Sequence, residues 1–322
     1  MSESNVWQKT RGILKIIFSI LLLAGIVSVL KIHLLSVFVS IKNIPIVYII
    51  AASFIYLIAV IVSSLKWKLF LPGYSVGQVL KYTFVGQFYS VVLPGQFVGE
   101  EAKAYRLGSR NKNVEEIGAS VLLDKVTGIL SLLLVACAGI VLTSSHLPSI
   151  LFFSIVVGLL ICLCVLIVSR TRRVYSFIHR RVSLVENNHE ILGTVWRFIR
   201  TFTEHWHGYT NKTGMVVGSI GVGIIYQLLT VAFIAILASG LHMSVSFFDW
   251  AWIFGVVSIS VFIPITIGGI GLREGVFVGL LSLLHVSPEL AVSLSLSSFA
   301  FQLVGALIGG IFEVIDFKQS SK

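Results

Sequence analysis

Charge is scarce in this sequence. Only 12% of its 322 residues are Asp, Glu, Lys or Arg, against 56% hydrophobic, and the mean hydropathy is +0.97. Such a composition excludes a soluble globular fold and indicates an integral membrane protein. No polar stretch is long enough for a separate catalytic domain, and no soluble basic module is present to bind nucleic acid. Acidic residues are the scarcer charge, which leaves a formal net charge of +10. In a membrane protein that excess belongs to cytoplasmic loops lying against anionic headgroups. Cysteine is rare too. Cys137, Cys162 and Cys164 all fall in apolar runs, so they read as packing residues with no disulfide. His205 and His207 do not share a helical face, and no other histidine pair suggests a metal site. No cofactor is expected.

What the chain does have is long apolar runs, two of which are interrupted in the same way. In residues 263–277, Gly269 follows Pro264 by five positions and Arg273 by nine. In residues 93–105, Gly99 follows Pro94 by five and Lys103 by nine. Proline removes a backbone donor, and Gly268, Gly269 and Gly271 allow a sharp turn. Broken backbone survives at membrane depth only where protein or a wet cavity covers it. Paired interruptions in two halves of a chain point to a transporter binding site.

In chain order, the runs predict an all-α polytopic protein built as an inverted-topology repeat. The first repeat, residues 1–149, has spans at about 13–32, 45–65 and 114–142, with a re-entrant helical hairpin at about 76–108, where a full span is the alternative reading. The second, residues 150–322, has spans at about 150–169, 215–241 and 288–315, and a hairpin at about 250–286. Residues 16–30 lack a small-residue cleavage pattern, so the first run reads as an uncleaved span. Lys31 and Lys42 sit in the loop after it. Asn113 is placed to cap the third span. Lys66, Trp67 and Lys68 read as a return to the cytoplasmic interface, and Trp250 and Trp252 suit an interfacial belt. The loop 170–212 carries eight basic residues against three acidic ones, the strongest inside signal in the chain. Within it, residues about 190–207 form an amphipathic helix. It rests either on the cytoplasmic interface or on the protein's own loops. Both termini are then cytoplasmic, and the membrane is the cytoplasmic one.

Seven charges fall at or near membrane depth: Glu100, Glu101, Lys103, Asp124, Lys125, Arg273 and Glu274. A charge at the bilayer centre costs about 2.5–3.5 kcal/mol on insertion scales, so each must pair or face water. They read either as structural ion pairs, Glu100 with Lys103 and Arg273 with Asp124 or Glu274, or as a site. In the second reading Lys103 and Arg273 bind a lipid phosphate, while Asp124 and Glu274 hold Arg273 in its absence. The candidate site also takes in Glu100, Lys125, Gly99, Gly268, Gly269, Gly271, Pro94 and Pro264.

The sequence resembles the flippase-like membrane family typified by the transmembrane domain of lysylphosphatidylglycerol synthases. The resemblance rests on Gly86-Gln87-Phe88, on Leu93-Pro94-Gly95 and on Gly99 to Tyr105. Ser120 to Lys125 and Ile263 to Glu274 complete it. Where the family usually shows Gly-Gly-Asp before an Arg, this chain has Val98-Gly99-Glu100 and Lys103, and Lys125 replaces a common Arg. Arginine clamps phosphate with a planar fork, whereas lysine is a point charge. The resemblance implies translocation of an aminoacyl-phospholipid or a polyprenyl-phosphate-linked sugar, with a lipid-synthesising enzyme or glycosyltransferase as partner. Two other classes stay open. One is a small-solute or ion transporter, which a polar path through the spans would favour, although the spans show few polar residues. The other is a membrane-embedded lipid-modifying enzyme, for which no nucleophile–base constellation is visible, so a non-enzyme is expected.

Single cysteines at Thr143 and Arg173, in a chain whose native cysteines are replaced by alanine, are expected to react from outside and inside respectively with an impermeant thiol reagent. Reaction of both from one side contradicts this topology.

Overall fold

The computed structural model describes residues 25, 28, 29, 32–93, 96–111, 113–143, 149–171, 176, 190–262, 266 and 268–320. The predicted first span at 13–32 lies almost wholly outside the described residues. Pro94, Pro264, most of the basic stretch 172–189 and Lys322 lie outside them too. Among the described residues there are eleven helices and no strand.

In chain order the helices are α1 (Leu34–Lys42), α2 (Ile46–Lys68), α3 (Val76–Val92), α4 (Gln96–Asn111), α5 (Val114–Leu142), α6 (Ser149–Arg170), α7 (Glu190–Asn211), α8 (Thr213–Gly240), α9 (Phe247–Val261), α10 (Leu272–Ser282) and α11 (Pro288–Ser320). Helices α2, α5, α8 and α11 are long and apolar enough to cross a membrane. Helix α1 occupies what reads in sequence as a loop. Its apolar run buries Val37 and packs on α11.

Local sequence explains several helix starts. Ser75 Oγ accepts from the Gln78 backbone N–H at 3.2 Å, while Gln78 Oε1 accepts from Ser75 N–H at 3.0 Å, a capping box that opens α3. Ser246 Oγ accepts from Asp249 N–H at 3.1 Å and opens α9. Asn113 does occupy the cap position of α5, but its side chain makes no cap bond and donates to Glu116 Oε2 at 3.4 Å instead.

The distribution of polarity is that of a lipid-embedded protein. Phe54, Phe153, Leu160 and Leu307 face outwards, while Lys66, Lys103, Arg273 and Glu274 are buried. The two tryptophans expected at an interface lie inside instead. Trp250 and Trp252 are fully buried with Phe277, Leu281 and Leu294, and Trp252 Nε1 donates to Asp249 Oδ1 at 3.1 Å. Trp67 is buried as well, its Nε1 donating to Ser120 Oγ at 3.1 Å. An indole with its N–H satisfied packs as a large apolar group and has no need of the headgroup layer. Cys137 and Cys162 pack with Leu133 and Ala136 as expected, but Cys164 is exposed on α6.

The helix packing comes in matched sets. Helix α2 packs on α8. Helices α3 and α4 pack on each other, and so do α9 and α10. Helix α3 lies along α11, and α9 lies along α5. Polar ties fasten these cross-chain contacts. Lys81 meets Asp316 at 2.5 Å, Tyr89 OH donates to Glu313 at 2.7 Å, and Arg106 pairs with Glu313, all joining α3 and α4 to the end of α11. Thr143 donates to Asp249 at 2.5 Å, joining the end of α5 to the start of α9. Helix α7 settles on protein. Phe202, Trp206 and Tyr209 pack against Phe70, Ala119 and Leu123, while Arg200 and Glu204 pair at 3.2 Å on the exposed side.

The α3–α11 contact depends on missing side chains. A Cβ on Gly309 would stand 2.0 Å from the Phe84 carbonyl oxygen, whereas one on Gly279 would meet nothing. Alanine in a helix gains up to about 1 kcal/mol over glycine where there is room, and overpacking costs about 1–3 kcal/mol where there is none. Gly279→Ala is therefore expected to raise the thermal midpoint in detergent and Gly309→Ala to lower it. A rise in both contradicts this packing.

Candidate functional site

Three glycines shape the turn before α10. Gly268, Gly269 and Gly271 have φ of +59°, +76° and +86°, a region that side-chain-bearing residues rarely occupy. The turn brings Glu274 back over the helix start, where Oε2 accepts from the Gly271 N–H at 2.6 Å. The other carboxylate oxygen, Oε1, accepts from Arg273 Nη2 at 2.9 Å and from Ser295 Oγ at 2.7 Å. A fully buried carboxylate at a helix N-terminus thus holds a buried guanidinium. Arg273 also donates through Nε to Ser295 Oγ at 2.9 Å and lies 4.7 Å from the Phe299 ring centroid.

The first hairpin is built by close backbone contact. A Cβ on Gly99 would lie 1.9 Å from Ser90 Oγ and 2.4 Å from the Gly86 carbonyl oxygen. That approach lays Lys103 over Gly86. Lys103 Nζ reaches Glu100 Oε2 at 2.5 Å and sits 4.3 Å above the Trp67 ring.

The third cation is Lys66. Its Nζ meets Asp124 Oδ1 at 2.7 Å and also donates to the Asp124 carbonyl oxygen. Lys66 threads between α5 and α8, where Gly128 and Gly223 leave room. A Cβ on either would stand 3.2 Å from the lysine's last atoms. Beside it, Thr127 and Ser219 hydroxyls bond at 2.9 Å, and Ser131 donates to the Ile220 carbonyl at 3.0 Å. Lys125 lies 4.8 Å from the Phe262 ring.

These groups surround one cavity of about 360 Å³, lined by Lys66, Lys103, Lys125, Arg273, Glu100 and Asp124. Glu274 stands behind Arg273, outside the lining. Gly99, Gly268, Gly269 and Gly271 shape the hairpins and do not line the cavity either. Pro94 and Pro264 lie outside the described residues. Lys103 and Arg273, nine residues past the two prolines, therefore reach the same space. Asp124 pairs with Lys66 and not with Arg273, because Glu274 already fills the near side of that guanidinium.

Lys66 is the residue that sequence reasoning missed. It ends an apolar run, so it read as a boundary lysine. The glycines that admit it lie 62 and 157 positions away. Tyr226 and Gln227 read in sequence as polar points within their span, but the convergence of polar residues was missed. Tyr56, Gln87 and Gln302 come from three different helices, Tyr226, Gln227 and Thr230 from α8, and all six line the same cavity. The spans are poor in polar residues, but those they have converge. Among the described residues no three His, Cys, Asp or Glu side chains are grouped to hold a metal.

The family model described as "Lysylphosphatidylglycerol synthase TM region" matches residues 13–310. The chain belongs to this family. Comparison with curated proteins and with solved structures found no match. Membership makes it a membrane protein akin to the membrane domain of a lipid-related protein. The matched range contains both hairpins and every cavity residue named above.

Removing one partner of a buried ion pair strands the other and costs about 3–5 kcal/mol, whereas replacing both by apolar groups is often neutral. Lys66→Met is therefore expected to lower the thermal midpoint strongly, and the double change Lys66→Met with Asp124→Leu to recover most of the loss. Equal destabilisation by the single and double changes would show that the pair is not the reason for either residue's burial.

Proposed function

We propose that the protein moves an anionic, phosphate-bearing lipid across the cytoplasmic membrane by alternating access, and that it is not an enzyme. The observation that carries this reading is the meeting of four basic side chains from four helices on one cavity within a bundle whose outside is apolar. Holding cations there is costly, and a phosphate crossing hydrocarbon needs such cations along its path. The cavity's volume, about 360 Å³, falls in the range of small-molecule sites and suits a lipid headgroup.

The matched packing supports an inverted repeat of residues 1–149 and 150–322, each with three spans and one re-entrant hairpin. The arms α3, α4, α9 and α10 have 17, 16, 15 and 11 residues. All fall short of the about 20 residues that an untilted span takes. Lys81, Arg106, Glu313 and Asp316 at one contact, and Thr143 and Asp249 at the other, are suited to serve as the two gates. The lysine and arginine bias of residues 170–212 supports cytoplasmic termini. An enzyme that makes the lipid is the expected partner. It would deliver an aminoacyl-phospholipid or a polyprenyl-phosphate-linked sugar.

A second reading, a transporter of a small anionic solute, is favoured by the polar wall of Tyr56, Gln87, Gln227 and Gln302. Reconstituted vesicles separate the two. Translocation of a fluorescent phosphatidylglycerol, followed by dithionite quenching and unaccompanied by phosphate uptake, is the expected result. Phosphate uptake without lipid movement overturns the lipid reading. In the same vesicles Arg273→Gln is expected to lose about tenfold or more in rate, the equivalent of one charge-assisted contact of about 1.4 kcal/mol or more. It should remain monodisperse on gel filtration, and Arg273→Lys should keep part of the activity. Normal transport by the Gln variant would make Arg273 a structural ion-pair member only.

A further inference from the structure

The three ion pairs at the cavity differ in what else holds their carboxylates. Glu274 is fully buried, and the Gly271 N–H, the Ser295 hydroxyl and Arg273 all donate to it. The Asp124 side chain is 12% exposed and ties α5 to α2 through Lys66. The Glu100 side chain is 29% exposed and lines the cavity, and its carboxylate is held by Lys103, three positions along the same helix. Of the three, Glu100 is the most exposed and the least tied down.

Lys103 has little room to serve two anions apart. Its side chain is 5% exposed, its Nζ stands 4.3 Å from the Trp67 ring centroid, and its stem lies on Gly86. A phosphate that reaches this ammonium comes against the Glu100 carboxylate. Two anions sharing one site drive a proton onto one of them. A phosphodiester is the stronger acid, so the proton goes to Glu100. The neutral carboxyl then becomes a donor to the phosphate oxygens. Helix α4 packs on α3 and α5. Around the cavity stand Lys66 of α2, Asp124 and Lys125 of α5, Tyr226 of α8 and Arg273 of α10. On α3, Lys81, Tyr82 and Tyr89 are engaged by Asp316 and Glu313 of α11, and Arg106 of α4 pairs with Glu313. Glu101 is exposed. Whatever partners these groups have, the changes from the empty state are fixed. A singly charged phosphodiester alone adds one negative charge, a proton alone adds one positive charge, and the two together add none. An uncompensated charge is costly at membrane depth, which favours the empty and the doubly loaded forms for the change of face.

We propose that Glu100 is a proton-binding site that couples lipid movement to a proton gradient, one proton crossing with each singly charged phosphodiester. The inference rests on the lipid-transport reading above and deepens it. The proton comes from water in the cavity and stays on the Glu100 carboxylate while the phosphate is bound at Lys103. It returns to water on the other side as the phosphate leaves and the Glu100–Lys103 pair closes again. Each ligand raises the affinity for the other by the same factor. The loaded step moves no net charge, so a pH difference drives it and a membrane potential does not.

The test uses the full chain in phosphatidylcholine vesicles holding a trace of acyl-labelled fluorescent phosphatidylglycerol, read by dithionite quenching against protein-free vesicles. Under a difference of about one pH unit and no potential, the probe should accumulate in the leaflet on the alkaline side. The limit for one proton per lipid is about tenfold. A potassium diffusion potential set with valinomycin at equal pH should leave the distribution even. Glu100→Gln cannot take up the proton, so both responses should invert. The probe should ignore the pH difference and accumulate on the side that the potential makes positive. Glu100→Asp keeps a carboxyl and should keep the response to pH. A carboxylate that merely holds Lys103 in place would alter rate or stability without creating either response. A probe that moves in the unaltered protein but stays evenly distributed under the pH difference overturns the inference and leaves lipid transport standing, and this arm depends on no variant. Accumulation driven by pH that persists in a monodisperse Gln variant overturns the role of Glu100. No movement of the probe under any condition removes the transport reading, and this inference with it.

Discussion

A charge inside a bilayer must be answered by another charge or by water, and the rest of this fold follows from that constraint. Lys66, Lys103 and Arg273 are each held by a carboxylate at 2.5 to 2.9 Å, and each pair borders a cavity or stands directly behind its wall. A well-packed apolar group in place of each pair would stabilise the fold as well or better. On the function proposed above, three such pairs around one space serve what the space receives. The pairs also differ in reach. Lys66–Asp124 joins α2 to α5, whereas Glu100–Lys103 and Arg273–Glu274 lie within single helices. A ligand anion can therefore compete for Lys103 or Arg273 without parting two helices.

Close backbone approach is the complement of that chemistry. Lys103 lies on Gly86, and Lys66 passes between Gly128 and Gly223. Helix α11 meets α3 at Gly309 and the Tyr56–Gln87 pair at Gly305. Lys66 and Lys103 enter the interior where the facing helix has no side chain to exclude them. The same glycines bring the polar atoms of α2, α3, α8 and α11 onto one wall, so packing and site have a common cause.

The long apolar helices were legible because lipid demands a run of apolar residues, and α2, α5, α8 and α11 lie where those runs fall. The turn before α10 was legible because Gly268, Gly269 and Gly271 permit backbone angles that other residues resist. The Glu100–Lys103 pair follows from helical spacing, and Arg273 and Glu274 are neighbours in sequence. Other features depend on partners distant in sequence. Lys66 looks like an interfacial lysine until Gly128 and Gly223 are brought beside it. Trp250 and Trp252 look interfacial until Phe277 and Leu294 cover them. Gln227 sits beside Tyr226 in a long apolar helix, and only the fold shows that it lines a cavity with Gln87 and Gln302 of other helices.

The central claim is that the basic side chains of this cavity hold a lipid phosphate. It is tested most directly by identifying, with mass spectrometry, the lipids that stay bound to the purified protein through exhaustive detergent washing. The account predicts retention of an anionic phosphate lipid, enriched over its share of the host membrane. It also predicts loss of that lipid when Lys103 and Arg273 are both changed to Gln in a chain that stays monodisperse. Retained lipids that mirror the host membrane, or that are unchanged in the double variant, would contradict it.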